Sequence, residues 1–283
     1  MTEDEIVAFL ARERLPEGFR TTLERVCRPL AARAAALRAA RGHTVFVGLC
    51  GAQGSGKSTI SEATTAILNA QGLKAVTLSL DDFYLSREAR AWLARKVHPL
   101  MAVRGPPGTH DVALACVVLD HLGLPGVTPL PAFDKASDGR RPQSAWREVD
   151  GPLDVVILEG WCVGAQPQPS AELVNPVNSL ERAEDPDGVW RRYVDRQLAG
   201  PYQALFERLD MLVLLAAPGF EVVRAWRTEQ EHKLRARTQG GMDDAAVARF
   251  VAHYERLTRW ILAEMPSRAD WTIPLAADRT PGI

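Results

Sequence analysis

Residues 48–59 read GLCGAQGSGKST, in which Gly51, Gly56, Lys57 and Ser58 satisfy the spacing G-x-x-x-x-G-K-[ST]. A short apolar run, HTVFVGLC (43–50), precedes the motif. A helical pattern (57–70) follows it, with Ile60, Ala63 and Ile67 on one side. The glycines let the backbone bend until several N–H groups point at one anion, and the helix adds its positive N-terminal end. Gly51, Gln53, Gly54, Ser55, Gly56, Lys57, Ser58 and Thr59 are therefore expected to cradle the phosphates of a nucleotide. Lys57 would reach the β- and γ-phosphates, and the Ser58 hydroxyl would ligate Mg²⁺.

A strand that delivers such a turn needs partners. Four further apolar runs supply them: LKAVTLSL (73–80), LDVVILEG (153–160), DMLVLLAAP (210–218) and the weaker DWTIPLA (270–276). Helical patterns lie between them at 111–122, 190–208, 220–237 and 243–263. Strands apolar on both faces and separated by helices imply a mostly parallel sheet covered on both sides, a three-layer αβα sandwich. Residues 2–41 read as helices, so the expected organisation is an N-terminal helical extension (1–42) followed by one P-loop domain (43–283). The stretches 97–110, 124–152 and 162–189, rich in Pro, Gly, Asn and Asp, are expected as long loops.

Bulk properties exclude other classes. A formal net charge of -1 over 283 residues gives no basis for a non-specific nucleic-acid or membrane binder, so anions must be held at local sites. The N-terminal Met-Thr-Glu-Asp-Glu is acidic where a signal peptide would be basic, and the apolar runs are too short to span a bilayer. Cys27, Cys50, Cys116 and Cys162 show no C-x-x-C spacing and read as thiols in a reducing compartment. A cytoplasmic location is expected.

Two acidic positions carry chemistry. Glu159 ends the run VVILEG, where an open α/β sheet exposes a carboxylate only at its ligand-binding edge, and it is expected to support the metal. Asp81 and Asp82 end the second strand in LSLDDFY. A carboxylate there could orient a hydroxyl and accept its proton, or the pair could simply shape a turn. A P-loop alone does not separate kinases from nucleotide-hydrolysing switches. The chain lacks N-K-x-D for guanine and the L-S-G-G-Q of transporters.

In order and spacing, GAQGSGKST, LSLDDFY, RGPPGTHD, PAFDKASDGRR, ILEGW and WRTEQEHKLR resemble the D-glycerate 3-kinase group. That group belongs to the superfamily of uridine kinase, phosphoribulokinase and pantothenate kinase. The resemblance implies an ATP- and Mg²⁺-dependent kinase acting on a small anionic metabolite, with D-glycerate the leading candidate. It implies Asp81 as catalytic base and Asp82, Tyr84, Arg104, His110, Asp111 and Lys135 at the acceptor. A lid between about 220 and 242 would supply Arg227 and Arg235 to the transferring phosphate. A carboxylate acceptor needs cationic donors, here Arg104, His110 and Lys135. His110 and Asp111 also have a simpler reading, with Asp111 capping helix 111–122. Trp161 and Trp226 are expected as core anchors. The alternatives are a kinase of pantothenate, a nucleoside or a sugar phosphate, and a P-loop ATPase regulator with no small-molecule acceptor. Oligomeric state is not legible.

Overall fold

The computed structural model describes residues 1–238 and 241–282, without the side chains of 233, 234 and 236–238. Its centre is a five-stranded, all-parallel sheet in the order β2-β3-β1-β4-β5. The strands are β1 (Val45–Gly51), β2 (Ala75–Ser79), β3 (Val155–Gly160), β4 (Met211–Ala216) and β5 (Trp271–Pro274). All five expected runs became strands. Their burial follows their place: β3, near the middle, is buried throughout, whereas the edge strand β2 alternates.

The longer helices are α1 (Glu3–Glu13), α2 (Arg28–Arg41), α3 (Lys57–Ala70), α4 (Arg87–Lys96), α5 (Val112–Leu122), α6 (Val189–Gln197), α7 (Phe220–Thr238) and α8 (Asp244–Glu264). Side chains alternate across a strand, so each face of the sheet has its own core. Val45, Val47, Leu49, Ile157, Val213 and Leu215 pack on one face. Cys50, Val156, Leu158 and Leu214 pack on the other, against Leu119 of α5 and Tyr254 of α8.

The N-terminal helices belong to the first of these cores. Ile6, Phe9, Leu10, Val26 and Leu30 share one buried cluster with β1 and α3, so residues 1–42 complete a layer of the sandwich. The Ala/Arg-rich look of α2 concealed this, because alanines supply little of the apolar signal by which a buried face is read.

Two expected loops contain structure. Within 124–152, Gly126–Leu130 pairs antiparallel with Arg147–Gly151, and Phe133–Asp134 pairs with Gly139–Arg140. These strands are short and partly exposed, so the apolar run that marks a central strand is missing. Within 162–189, a helix at Ser179–Glu184 is capped by Asn178. Its Glu181 forms a buried pair with Arg256, and the neighbouring Asp185 a buried pair with Arg191. Polar residues of an expected loop are the internal ties of this segment. Among the described residues no helix is long and apolar enough to cross a membrane.

Candidate active site

The sheet register brings the chemistry to one edge. Glu159 lies beside Leu49 of β1 and beside Ser79 of β2. The phosphate cradle leaves β1 two residues past Leu49, and Asp81 follows two residues after Ser79. In parallel strands these positions share the carboxyl end, where the connections leaving β1 and β3 run in opposite directions along the sheet, β1 to β2 and β3 to β4.

The cradle has the required backbone. Gly54 and Gly56 adopt φ of 81° and 87°, a left-handed conformation natural to glycine. At Gly54 a β-carbon would also stand 2.7 Å from Cβ of Trp226 on α7. The Ser55 hydroxyl is buried with no hydrogen-bond partner. Lys57 opens α3, and the Ser58 hydroxyl donates to Glu159 Oε1 at 2.9 Å. Glu159 is buried, its Oε2 3.7 Å from Lys57 Nζ and without a hydrogen-bond partner. A hydroxyl beside an under-used carboxylate oxygen suits a hard divalent cation. Among the described residues no group of three or more His, Cys, Asp or Glu could hold a metal ion.

Asp81 and Asp82 sit in a single turn at Leu80–Phe83, with the Ser79 hydroxyl accepting from Asp81 N–H. Their environments differ. Asp81 Oδ1 accepts from Tyr84 OH at 2.7 Å, and Oδ2 is 2.6 Å from Lys135 Nζ. Burial pushes the Asp81 carboxyl up, but the charges of Lys135 and Lys57 and the two hydrogen bonds outweigh it and hold it at about 2. Asp82 accepts from the Phe133 N–H, which fixes the following hairpin, and burial raises its pKa. It lines a cleft on the metal side with Glu62, Thr77 and Glu159.

A cavity of about 330 Å³ joins these parts. Gln53, Gly54, Lys57, Ser58, Asp81, Tyr84, Arg104, Lys135, Trp161, Arg227, Gln230, Phe250 and Tyr254 line it. A larger groove of about 1100 Å³ runs along the opposite side of α7, past Arg224 and His232. It contains no cradle residue, so the smaller cavity is the reacting one.

Other expected site residues fall into place unevenly. Arg104 lines the cavity, but its guanidinium is paired with Asp138 at 2.6 Å. Its carbonyl accepts from Tyr254 OH at 2.8 Å. Arg227 lines the cavity, paired with Glu231 at 2.6 Å. Arg235, two turns further along α7, is exposed and does not line it. Gly51 and Thr59 flank the cradle without lining the cavity.

Two of the expected acceptor residues, His110 and Asp111, do not line the cavity. His110 is buried, stacked on Tyr84 with ring centroids 4.6 Å apart, and its Nδ1 is 2.6 Å from Tyr202 OH. Burial pushes its pKa down to about 4, so at neutral pH it carries no charge to offer an anion. It supports the Tyr84 ring. Asp111 caps α5 by accepting from Leu114 N–H and pairs with Arg140. Trp226 is buried, and its indole N–H reaches the Ala277 carbonyl. Trp161 is a core residue that also walls the cavity. Sequence reasoning missed Tyr254, Gln230, Phe250 and Asp138. Tyr254 stands in an apolar helical stripe whose hydroxyl is the only polar signal, and Asp138 precedes Gly139 in a pair common in ordinary turns.

No protein-family model matches the chain. It is 38% identical over 224 residues to an uncharacterized kinase of Schizosaccharomyces pombe, a match covering 75% of this chain and 79% of that protein. It is 32% identical over 251 residues to the chloroplastic D-glycerate 3-kinase of Arabidopsis thaliana, covering 83% of this chain and 52% of the plant protein, about half its length. Among solved structures, D-glycerate 3-kinase from Cryptococcus neoformans superposes with a TM-score of 0.75 at 25% identity, covering 92% of this chain and 98% of that one. With the cradle, the Ser58–Glu159 pair and Asp81 on one sheet edge, the chain belongs to the D-glycerate 3-kinase-like family of P-loop kinases.

Proposed function

We propose that this protein transfers the γ-phosphoryl group of ATP to a hydroxyl of D-glycerate. The observation that carries the reading is the placement of an ionised carboxylate, Asp81, in one small cavity with Lys57, Arg104 and Lys135. A nucleotide-hydrolysing switch has no use for two cations on the acceptor side, whereas a small hydroxy acid needs them for its carboxylate.

The cradle amides and Lys57 hold the phosphates of ATP. Ser58 and Glu159 would hold Mg²⁺, which when bound neutralises charge on the phosphate oxygens. Arg104 and Lys135 bind the carboxylate of the acceptor. Lys135 thereby leaves Asp81, whose principal depressing charge is then weakened. Asp81 orients the acceptor hydroxyl and takes its proton as its oxygen bonds the γ-phosphorus and the bond from that phosphorus to the β,γ-bridging oxygen breaks, releasing ADP. Lys57 and Arg227 stabilise the charge on the moving phosphoryl group. Asp82 and His110 position the hairpin and the Tyr84 ring. Arg235 would contribute only if α7 moved, and this mechanism does not use it.

A panel of acceptors in a coupled ADP-release assay tests the proposal. D-Glycerate is expected to give the highest kcat/KM, above pantothenate, nucleosides and sugar phosphates. Slow ATP hydrolysis that none of them accelerates would overturn it.

A further inference from the structure

We propose that Asp138 is a specificity-determining residue that restricts the acceptor cavity to molecules carrying one negative charge. The inference rests on the kinase reading above and names the feature of the site that selects its substrate class.

Asp138 stands behind the cavity wall, in the hairpin that carries Lys135. One carboxylate oxygen is 2.6 Å from Arg104 Nη1, and the other accepts a short hydrogen bond from Arg90. The Arg90 side chain is almost wholly buried, and its remaining hydrogen bonds go to the carbonyls of Leu85 and Ala102. Among the described residues, the acceptor half of the cavity and its ion-pair partners thus contain three cations, Arg90, Arg104 and Lys135. Two carboxylates, Asp81 and Asp138, oppose them. Tyr84 stays protonated and His110 is neutral, so neither alters the balance. Arg140 and Asp111 cancel one another. Asp82 does not line the cavity: it faces the metal-side cleft, which Asp81 and Lys135 also border and Arg104 does not, and one of its oxygens is taken by the Phe133 N–H.

The surplus is one positive charge, matching one carboxylate. A phosphate monoester carries about −1.5 to −2 at neutral pH and would leave negative charge uncompensated in a partly buried site. Without Asp138 the surplus would be two, and a dianion would fit. Asp138 also has φ of 54°, a left-handed conformation that asparagine tolerates better than most residues. Asp138→Asn therefore removes the charge while keeping an acceptor for Arg90 and the backbone of the turn. Lys135–Asp81 and Arg140–Asp111 still dock the hairpin.

The test measures binding of D-glycerate and of glycerol 3-phosphate by calorimetry, alongside turnover of each. Wild-type protein is expected to bind D-glycerate at least tenfold more tightly, and equal or tighter binding of glycerol 3-phosphate overturns the inference without any variant. In Asp138→Asn the preference should shift at least tenfold towards glycerol 3-phosphate with ATP affinity unchanged, and adding Arg104→Gln should abolish that shift. An unshifted ratio in an Asp138→Asn protein with wild-type ATP affinity refutes the role of Asp138. Charge-selective binding without turnover of either compound would instead refute the kinase reading and leave the selectivity standing.

Discussion

Replacing Asp81 by Asn tests the centre of the proposed mechanism, because the change keeps the shape of the side chain and removes its charge. Tyr84 OH can still donate to the amide oxygen, so the turn at Leu80–Phe83 should hold, while Lys135 loses its 2.6 Å partner. A group that positions and accepts a proton contributes roughly 10²–10⁴-fold in rate. At about 1.4 kcal/mol per tenfold, that corresponds to about 3–5 kcal/mol of barrier. Stability should change less. The Asp81 carboxyl is held at about 2 against an ordinary 3.8, and a depressed acid stabilises the fold above its unfolded pKa and loses that contribution as pH falls towards its folded one. At neutral pH the contribution is therefore fully present, worth about 2 kcal/mol. Losing it should lower Tm by about 3–4 °C for a chain of 283 residues. Turnover with D-glycerate by coupled ADP release, ATP affinity by calorimetry and Tm by scanning fluorimetry separate these effects. The expected pattern is a kcat drop of at least a hundredfold with ATP affinity within about threefold of wild type. A variant that turns over within tenfold of wild type removes Asp81 from the chemistry.

Lys57→Ala should weaken ATP binding and lower kcat together, since Lys57 lies beside both Glu159 and the cradle; nucleotide titration and turnover that both stay at wild-type values would refute the phosphate-binding reading. Lys135→Met removes the foremost charge holding Asp81 down in the free enzyme and leaves burial opposed only by Lys57 and the Tyr84 hydrogen bond, so the acid limb of the kcat/KM profile, which reports the free enzyme, should move up from its wild-type position; an unmoved profile means that Lys135 does not tune Asp81. Gly54→Ala forces a β-carbon into a left-handed turn and against Trp226, so ATP affinity should fall at least tenfold with little loss of Tm; unchanged affinity would show that α7 and the turn can both yield.

How far the sequence could be read depended on how local each signal was. The cradle is legible because its spacing, its preceding strand and its following helix are consecutive in the chain. The strand order is only partly legible, since nothing in the run VVILEG says that it inserts between the strands carrying Ser79 and Leu49. Asp81 was left even between a turn residue and a working acid by its spacing, and the register resolves why: it follows a strand whose end lies beside Glu159. The acceptor side was least legible. Arg104 was expected there and lines the cavity, but its partner Asp138 is 34 residues away in a hairpin with almost no apolar pattern. The type of His110 speaks of charge, whereas its depth in the fold removes that charge. Sequence shows which residues can ionise; burial decides which of them do.

The same distinction bears on how the site avoids wasting ATP. Four cations face or line the cavity, and each is paired with a carboxylate: Lys57 with Glu159, Lys135 with Asp81, Arg104 with Asp138 and Arg227 with Glu231. Lys135 cannot grip an incoming carboxylate and Asp81 at full strength together, because its charge is shared between them. While no acceptor is bound, Lys135 occupies Asp81 and holds it as a very weak base, poorly suited to activating water. An arriving hydroxy acid that draws Lys135 to its own carboxylate strengthens Asp81 as a base at the moment its hydroxyl is in place. Coupling of this kind makes acceptor binding a condition of basicity, without any large closure of α7. It predicts that Lys135→Met, besides moving the pH profile, raises ATP hydrolysis in the absence of acceptor relative to transfer in its presence. If that ratio stays at the wild-type value, Lys135 serves only to bind the acceptor, and protection of ATP must come from the exclusion of water.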